Sequence, residues 1–99
     1  MSYSELREEV AQAIKLYEQV IRRAASRTRD MIERHGEVEA LSHLVVTADL
    51  QQGFKALRDH NQLDQTFEAV VVRHPELFRR DVVESAQWRL DNPYQLLDF

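Results

Sequence analysis

Glu39 and His43 stand four residues apart with Glu37 close by, so on a helix a carboxylate and an imidazole would share one face. Such a pair could begin a divalent-metal site. A metal site needs at least three protein ligands with a supporting outer shell, however, and neither His-Glu-x-x-His nor an Asp-rich calcium loop occurs in the chain. The pair reads as part of a solvated helical face. Asp59, His60 and Asp64 form a second grouping, since a histidine beside a carboxylate titrates near neutrality and can move protons. Each also has a structural explanation: Asp59 is solvated, His60 adds positive charge near a helix C-terminus, and Asp64 caps the next helix. Ser42, Thr66 and Ser85 lack the glycine-flanked elbow of a nucleophilic hydrolase. The two glycines, Gly36 and Gly53, open no phosphate-binding loop. With no cysteine there is no thiolate metal site, disulfide framework or cysteine nucleophile. No catalytic residue, metal ligand or cofactor is therefore nominated, and a non-enzymatic role is expected.

Two sets of residues could serve binding instead. Arg22, Arg23, Arg27 and Arg29 concentrate positive charge on one stretch, with Lys15 two turns earlier, and could contact phosphates. Against this, Glu18 with Arg22, Arg27 with Asp30, and Arg29 with Glu33 are helical ion-pair spacings, which would make the band a solvated face. The other set is aromatic and aliphatic: Tyr17, Ile21, Trp88, Tyr94 and Phe99. Trp88 falls off the Val82, Ala86, Leu90 stripe, so it either packs under Tyr94 or Phe99 or meets a partner.

The elements that must position these residues are helical. Leu6, Val10, Ala13, Tyr17, Val20, Ala24 and Met31 follow spacings of three and four, which predicts a long helix over about 5–34, closed by Gly36. At about 1.5 Å per residue it would run to about 45 Å, more than a domain of this size spans. It must kink near Ala25-Ser26 or offer part of its apolar face to another chain. Four short helices follow, over about 37–45, 49–58, 65–73 and 80–90. Thr47 is a cap ahead of the second of these, and the Gly53 within it permits a close helix contact. Asn61 takes a left-handed turn, and Asp64 caps the 65–73 helix despite its β-branched Val70-Val71-Val72 run. Pro75 stops that helix, Leu77 and Phe78 plug the core, and Pro93 ends the last one. The segment 94–99 is too apolar to stay bare.

The fold class is accordingly all-α: about five helices, one long N-terminal helix packed by four short ones, in a single domain over 1–99. Of the 99 residues 43% are hydrophobic and 30% charged, which suits a folded chain, and two Gly and two Pro are too few for the turns of a β-sandwich. The net charge of −4 works against indiscriminate attachment to nucleic acid. No apolar run approaches the roughly 20 residues that a membrane span needs, and the start has no secretory pattern, so a cytoplasmic location is expected.

From about Leu16 onward the chain carries Gly53-Phe54 with Leu57, Leu63-Asp64-x-Thr66-x-Glu68-Ala69-x-Val71, Pro75 ahead of Leu77-Phe78, and Ala86 with Arg89-Leu90. In these residues it resembles a set of small bacterial helical proteins. Arg79, where that pattern has Ser or Thr, and Arg73-His74, where it is apolar, depart from it. The resemblance implies a helical bacterial domain and brings no catalytic residue. The function expected is a protein interaction or assembly module, binding a protein partner or a second copy in a homo-oligomer such as a homodimer, through Tyr17, Ile21, Trp88, Tyr94 and Phe99. The alternative is a nucleic-acid-binding accessory domain using Arg22, Arg23, Arg27 and Arg29.

Overall fold

The computed structural model describes residues 3–46 and 51–94. The described residues are helical, with no strand among them, in the order α1 (Tyr3–Ile21), α2 (Ser26–His35), α3 (Glu37–Val46), α4 (Gln51–Asp59), a 3-10 turn (Leu63–Gln65), α5 (Phe67–Arg73), a second 3-10 turn (Pro75–Leu77) and α6 (Arg80–Asp91). The all-α class thus holds, including the Val70-Val71-Val72 run, which packing keeps helical against its β-branched preference.

The expected long helix is two helices, broken between Ile21 and Ser26 beside the kink expected near Ala25-Ser26, so the count is six among the described residues rather than five. The chain leaves α1 at Arg22, whose φ of +61° is left-handed, while the Arg22 and Arg23 amides both donate to the Glu18 carbonyl at 2.8 and 3.3 Å. This closure ordinarily places glycine where Arg22 stands, because a Cβ in that conformation costs about 1–2 kcal/mol. The end of α4 closes in the same way. There Asn61, at φ +59°, takes the left-handed position and Gln62 donates to the Leu57 carbonyl at 2.7 Å, as expected of an asparagine. The new helix α2 has no side-chain cap of its own. Glu18 supplies one from across the break: its Oε2 accepts from the Ala25 amide at 2.7 Å, and its two oxygens receive Arg29 Nε at 2.8 Å and Nη2 at 2.6 Å.

Gly36, at φ +84°, joins α2 to α3 in a single residue and confirms a positive φ there. Its neighbour Glu37 is clasped by the first helix, the Tyr3 hydroxyl donating to Glu37 Oε1 at 2.6 Å. The Leu6, Val10, Ala13 and Ile14 stripe of α1 meets Leu41 and Val45 of α3, Val70 and Val71 of α5, and Val82 and Ala86 of α6 in one core. Phe78 enters that core from the α5–α6 connection with Leu77 packed against it, as their apolar character at a turn suggested. Ala24, read as part of the buried stripe, is exposed because the chain has already left the helix. In packing terms α1 lies chiefly on α4 and α5, α2 lies on α3, and α5 packs most extensively on α6.

Asp64 does not cap α5. The 3-10 turn carries the chain two residues further, so that Thr66 becomes the cap: its Oγ1 accepts from the Ala69 amide at 3.1 Å and donates to the Leu63 carbonyl at 2.7 Å. A Cβ on Gly53 would sit 3.5 Å from the Tyr17 ring, so α4 does approach α1 closely at the glycine, with ordinary room for one methyl group. The Thr47 cap and the expected start of the 49–58 helix lie outside the described residues, as does Phe99.

Candidate functional site

Helix α6 is amphipathic, and its outward side carries the largest exposed ring in a helix. Trp88 is 47% exposed; it is not packed under Tyr94, which is itself 60% exposed. The Tyr94 ring instead lies over the Arg58 guanidinium at 4.5 Å, and Arg58 Nη1 donates to the Pro93 carbonyl at 3.1 Å while its Nε donates to Asp59 at 2.9 Å. This arrangement buries Arg58 and holds the chain beyond α6 against α4. Asp81, Glu84 and Asp91 are all exposed and lie within about 60° of Trp88 on the α6 wheel. Asp81 and Glu84 have partners, Arg79 and Arg80, each at 3.2 Å, but these ion pairs are solvated and cost little to exchange. The outer side of α6 is therefore an indole within an acidic rim.

The other residues expected to bind are placed elsewhere. Tyr17 is half-buried and packs on the core, and Ile21 is half-buried in the final turn of α1. Both are remote in sequence from Trp88 and Tyr94, and the fold uses Tyr17 chiefly as a packing residue beside α4. Together with Ala13, Phe54, Leu57, Phe67 and Thr66 it lines a mostly apolar cleft of about 440 Å³, counting the part open to solvent.

The four arginines do not form one continuous helical band, because the break falls among them. Arg22 and Arg23 lie in the connection, Arg27 in the first turn of α2, and all three are exposed without an ion pair among the described residues. Arg29 is committed to Glu18, which corrects the expected Glu18–Arg22 pairing. The hydrogen bonds from Arg29 and then from the Ala25 amide hold the Glu18 carboxyl well below its ordinary value, at about 2. Asp30, expected beside Arg27, pairs with Arg34 at 3.2 Å.

Two polar arrangements were not read from the sequence, one buried and one partly exposed. Arg89 Nη1 donates to Glu68 Oε2 at 2.7 Å, with the two side chains 7% and 5% exposed. Burial pushes the Glu68 carboxyl up and Arg89 opposes it, leaving it above the ordinary range. The signal was present: Arg89 continues the Val82, Ala86 stripe and Glu68 precedes Val71 by three, so both charges stand in core register on their helices. The second arrangement joins the first helix to the end of α5. Glu9 receives Arg73 Nε at 2.7 Å on one oxygen and His74 Nε2 at 2.7 Å on the other. Burial of Glu9 works against its charge, but these two hydrogen bonds outweigh it and hold the carboxyl below the ordinary range. His74 Nδ1 is buried with no hydrogen-bond partner among the described residues.

Glu39 and His43 are both exposed on α3, and His60 Nδ1 is 2.9 Å from the Ala56 carbonyl of its own helix. Among the described residues no three histidine or carboxylate side chains converge as a metal site would require. No helix among them is long and apolar enough to cross a membrane. No protein family, curated protein or solved structure matches the chain.

Proposed function

We propose that this protein is a non-enzymatic interaction module, and that the outer side of α6 docks a protein segment carrying an apolar side chain flanked by basic residues. The observation that carries this reading is Trp88, 47% exposed in the middle of Asp81, Glu84 and Asp91. A large rigid indole loses little conformational entropy on binding and contributes heavily once its surroundings are desolvated. The carboxylates around it favour a cationic rim and speed encounter with it. A bacterial origin and a cytoplasmic location, taken from the sequence, are parts of the same proposal.

Because Trp88 is the single tryptophan, its emission reports on this face directly. The test titrates the protein with an amphipathic peptide of Lys and Leu and with its Glu and Leu counterpart. The Lys peptide should shift the emission to the blue, protect it from acrylamide, and bind more weakly as salt is raised or in a Glu84→Gln/Asp91→Asn variant. Equal responses to both peptides, or none to either, would sink the reading.

A second reading, attachment to nucleic acid, draws on Arg22, Arg23 and Arg27, which lie exposed around the positive end of α2. It expects retardation of DNA or RNA at low salt that weakens when the three are replaced by Gln; no retardation of either by the natural protein disposes of it.

A further inference from the structure

We infer that the α1–α2 junction is a switch between two folds of the same sequence, a closed monomer and a dimer in which two copies exchange α1. The inference is independent of the α6 face and rests on the connection Arg22-Arg23-Ala24-Ala25. These four residues contain neither Gly nor Pro and are good helix formers, and the apolar spacing of α1 continues across them. Locally, then, the chain favours one unbroken helix from Tyr3 to His35. What bends it is a left-handed arginine at φ +61° and a set of contacts from one half-buried carboxylate, Glu18, to the Ala25 amide and Arg29.

Packing decides what straightening would do. The two helices do not depend chiefly on each other: α2 rests on α3, whereas α1 rests on α4 and α5. A straight helix of that length would run to about 50 Å, against a longest dimension of 33 Å for the folded chain. It would keep α2 in place and lift Leu6, Val10 and Ile14 out of their own core. The empty seat then has one occupant of matching shape, the same stripe from a second copy, and the Glu9 contacts to Arg73 and His74 re-form between chains. The α1 stripe keeps its core contacts, the left-handed arginine is relieved, and the seat of Ala25 in the core and the two Glu18 clasps are surrendered.

The test refolds the protein at high concentration and separates species by size exclusion with light scattering. A slowly exchanging dimer is expected. Glu18→Ala should enrich it, and Arg22→Gly, which makes the bend free of strain and weakens the straight helix, should raise its apparent Kd by at least about tenfold. Since the chain has no cysteine, a Glu9→Cys/Arg73→Cys variant treated with a short bismaleimide identifies the exchange. Isolated dimer should yield covalently joined chains on a denaturing gel, and isolated monomer only internally linked ones. Circular dichroism and Arg22→Asn, a residue that tolerates the left-handed turn, guard against misfolding of the glycine variant. Monomer alone under all these conditions, a dimer linked only within chains, or a dimer indifferent to Arg22 would overturn the inference. Trp88→Ala should leave the dimer intact, so failure of the α6 proposal and failure of this one are read separately.

Discussion

The Glu68–Arg89 pair ties α5 to α6, the two helices that pack most extensively on each other, and each charge is tolerable there because of the other. Removing one member is far more damaging than the pair's net contribution suggests, since an uncompensated charge is left in an apolar setting. Arg89→Met should cost about 3–5 kcal/mol near neutral pH, read by urea unfolding. The deficit should shrink in acid, because Glu68 then takes up a proton. The sign follows from its raised pKa: the native state holds that proton more firmly than the unfolded chain. Glu68 therefore favours the native state most at low pH and loses that contribution as pH rises through its shifted value. Glu68→Gln, which keeps the shape but leaves the Arg89 charge without a carboxylate, should also be destabilised, and its own stability should lack the component that titrates with Glu68. A deficit for Arg89→Met that is the same at about pH 5 and about pH 8 would contradict the assignment.

Among the helices, α5 and α6 make a matched pair of experiments. Helix α5 begins on Thr66, which caps it, whereas α6 begins on Arg79, which has the extended backbone of a cap but no capping side chain. Thr66→Ala should lose about 1 kcal/mol and Arg79→Ser should gain about as much, both visible as opposite shifts in Tm. The same two starts show what the sequence could and could not reveal. Arg79 is legible as a missing cap from residue type alone. Asp64 and Thr66 are both competent caps, and which one acts depends on a 3-10 turn whose residues Leu63 to Gln65 have no distinctive signal. Helices α3 and α6 lie almost where apolar spacing places them, with Gly36 and Pro93 marking their boundaries. The α1–α2 break was legible from length, which called for a kink near Ala25-Ser26, but not from residue type, because nothing between Arg22 and Ala25 is a breaker; the agent is Glu18, acting through Arg29 eleven residues away. Of the candidate site, Trp88 was readable as a tryptophan off its helix's core stripe, whereas the burial of Arg58 beneath Tyr94 needs the fold itself.

For the molecule as a whole, acid stability is set by carboxylates that clasp distant parts of the chain. Glu18 joins α1 to α2 and Glu9 joins α1 to the end of α5, and both have lowered pKa values. The Glu18 contribution is complete above its ordinary 4.5 and disappears as pH falls toward about 2. Glu9 acts with the same sign, opposite to Glu68. A Glu9→Gln/Glu18→Gln variant should therefore be less stable than the natural protein at neutral pH, and its stability should fall less steeply over that acid range. Urea midpoints measured across the range check this, and parallel curves would show that the two clasps do not govern acid unfolding.

The clasp between Glu9 and the Arg73-His74 pair spans 64 and 65 residues of chain. A ribosome adding about 5–20 residues per second makes Glu9 roughly 3–13 s before it makes Arg73. Throughout that interval α5 is unfinished and α6 absent, so the apolar stripe of the first helix can meet only α3 and α4 of its own chain and lacks part of its final cover, which makes the nascent polypeptide a natural client for a chaperone that shields newly emerged helices. On a crowded polysome, the neighbour's nascent chain is close enough to be met first.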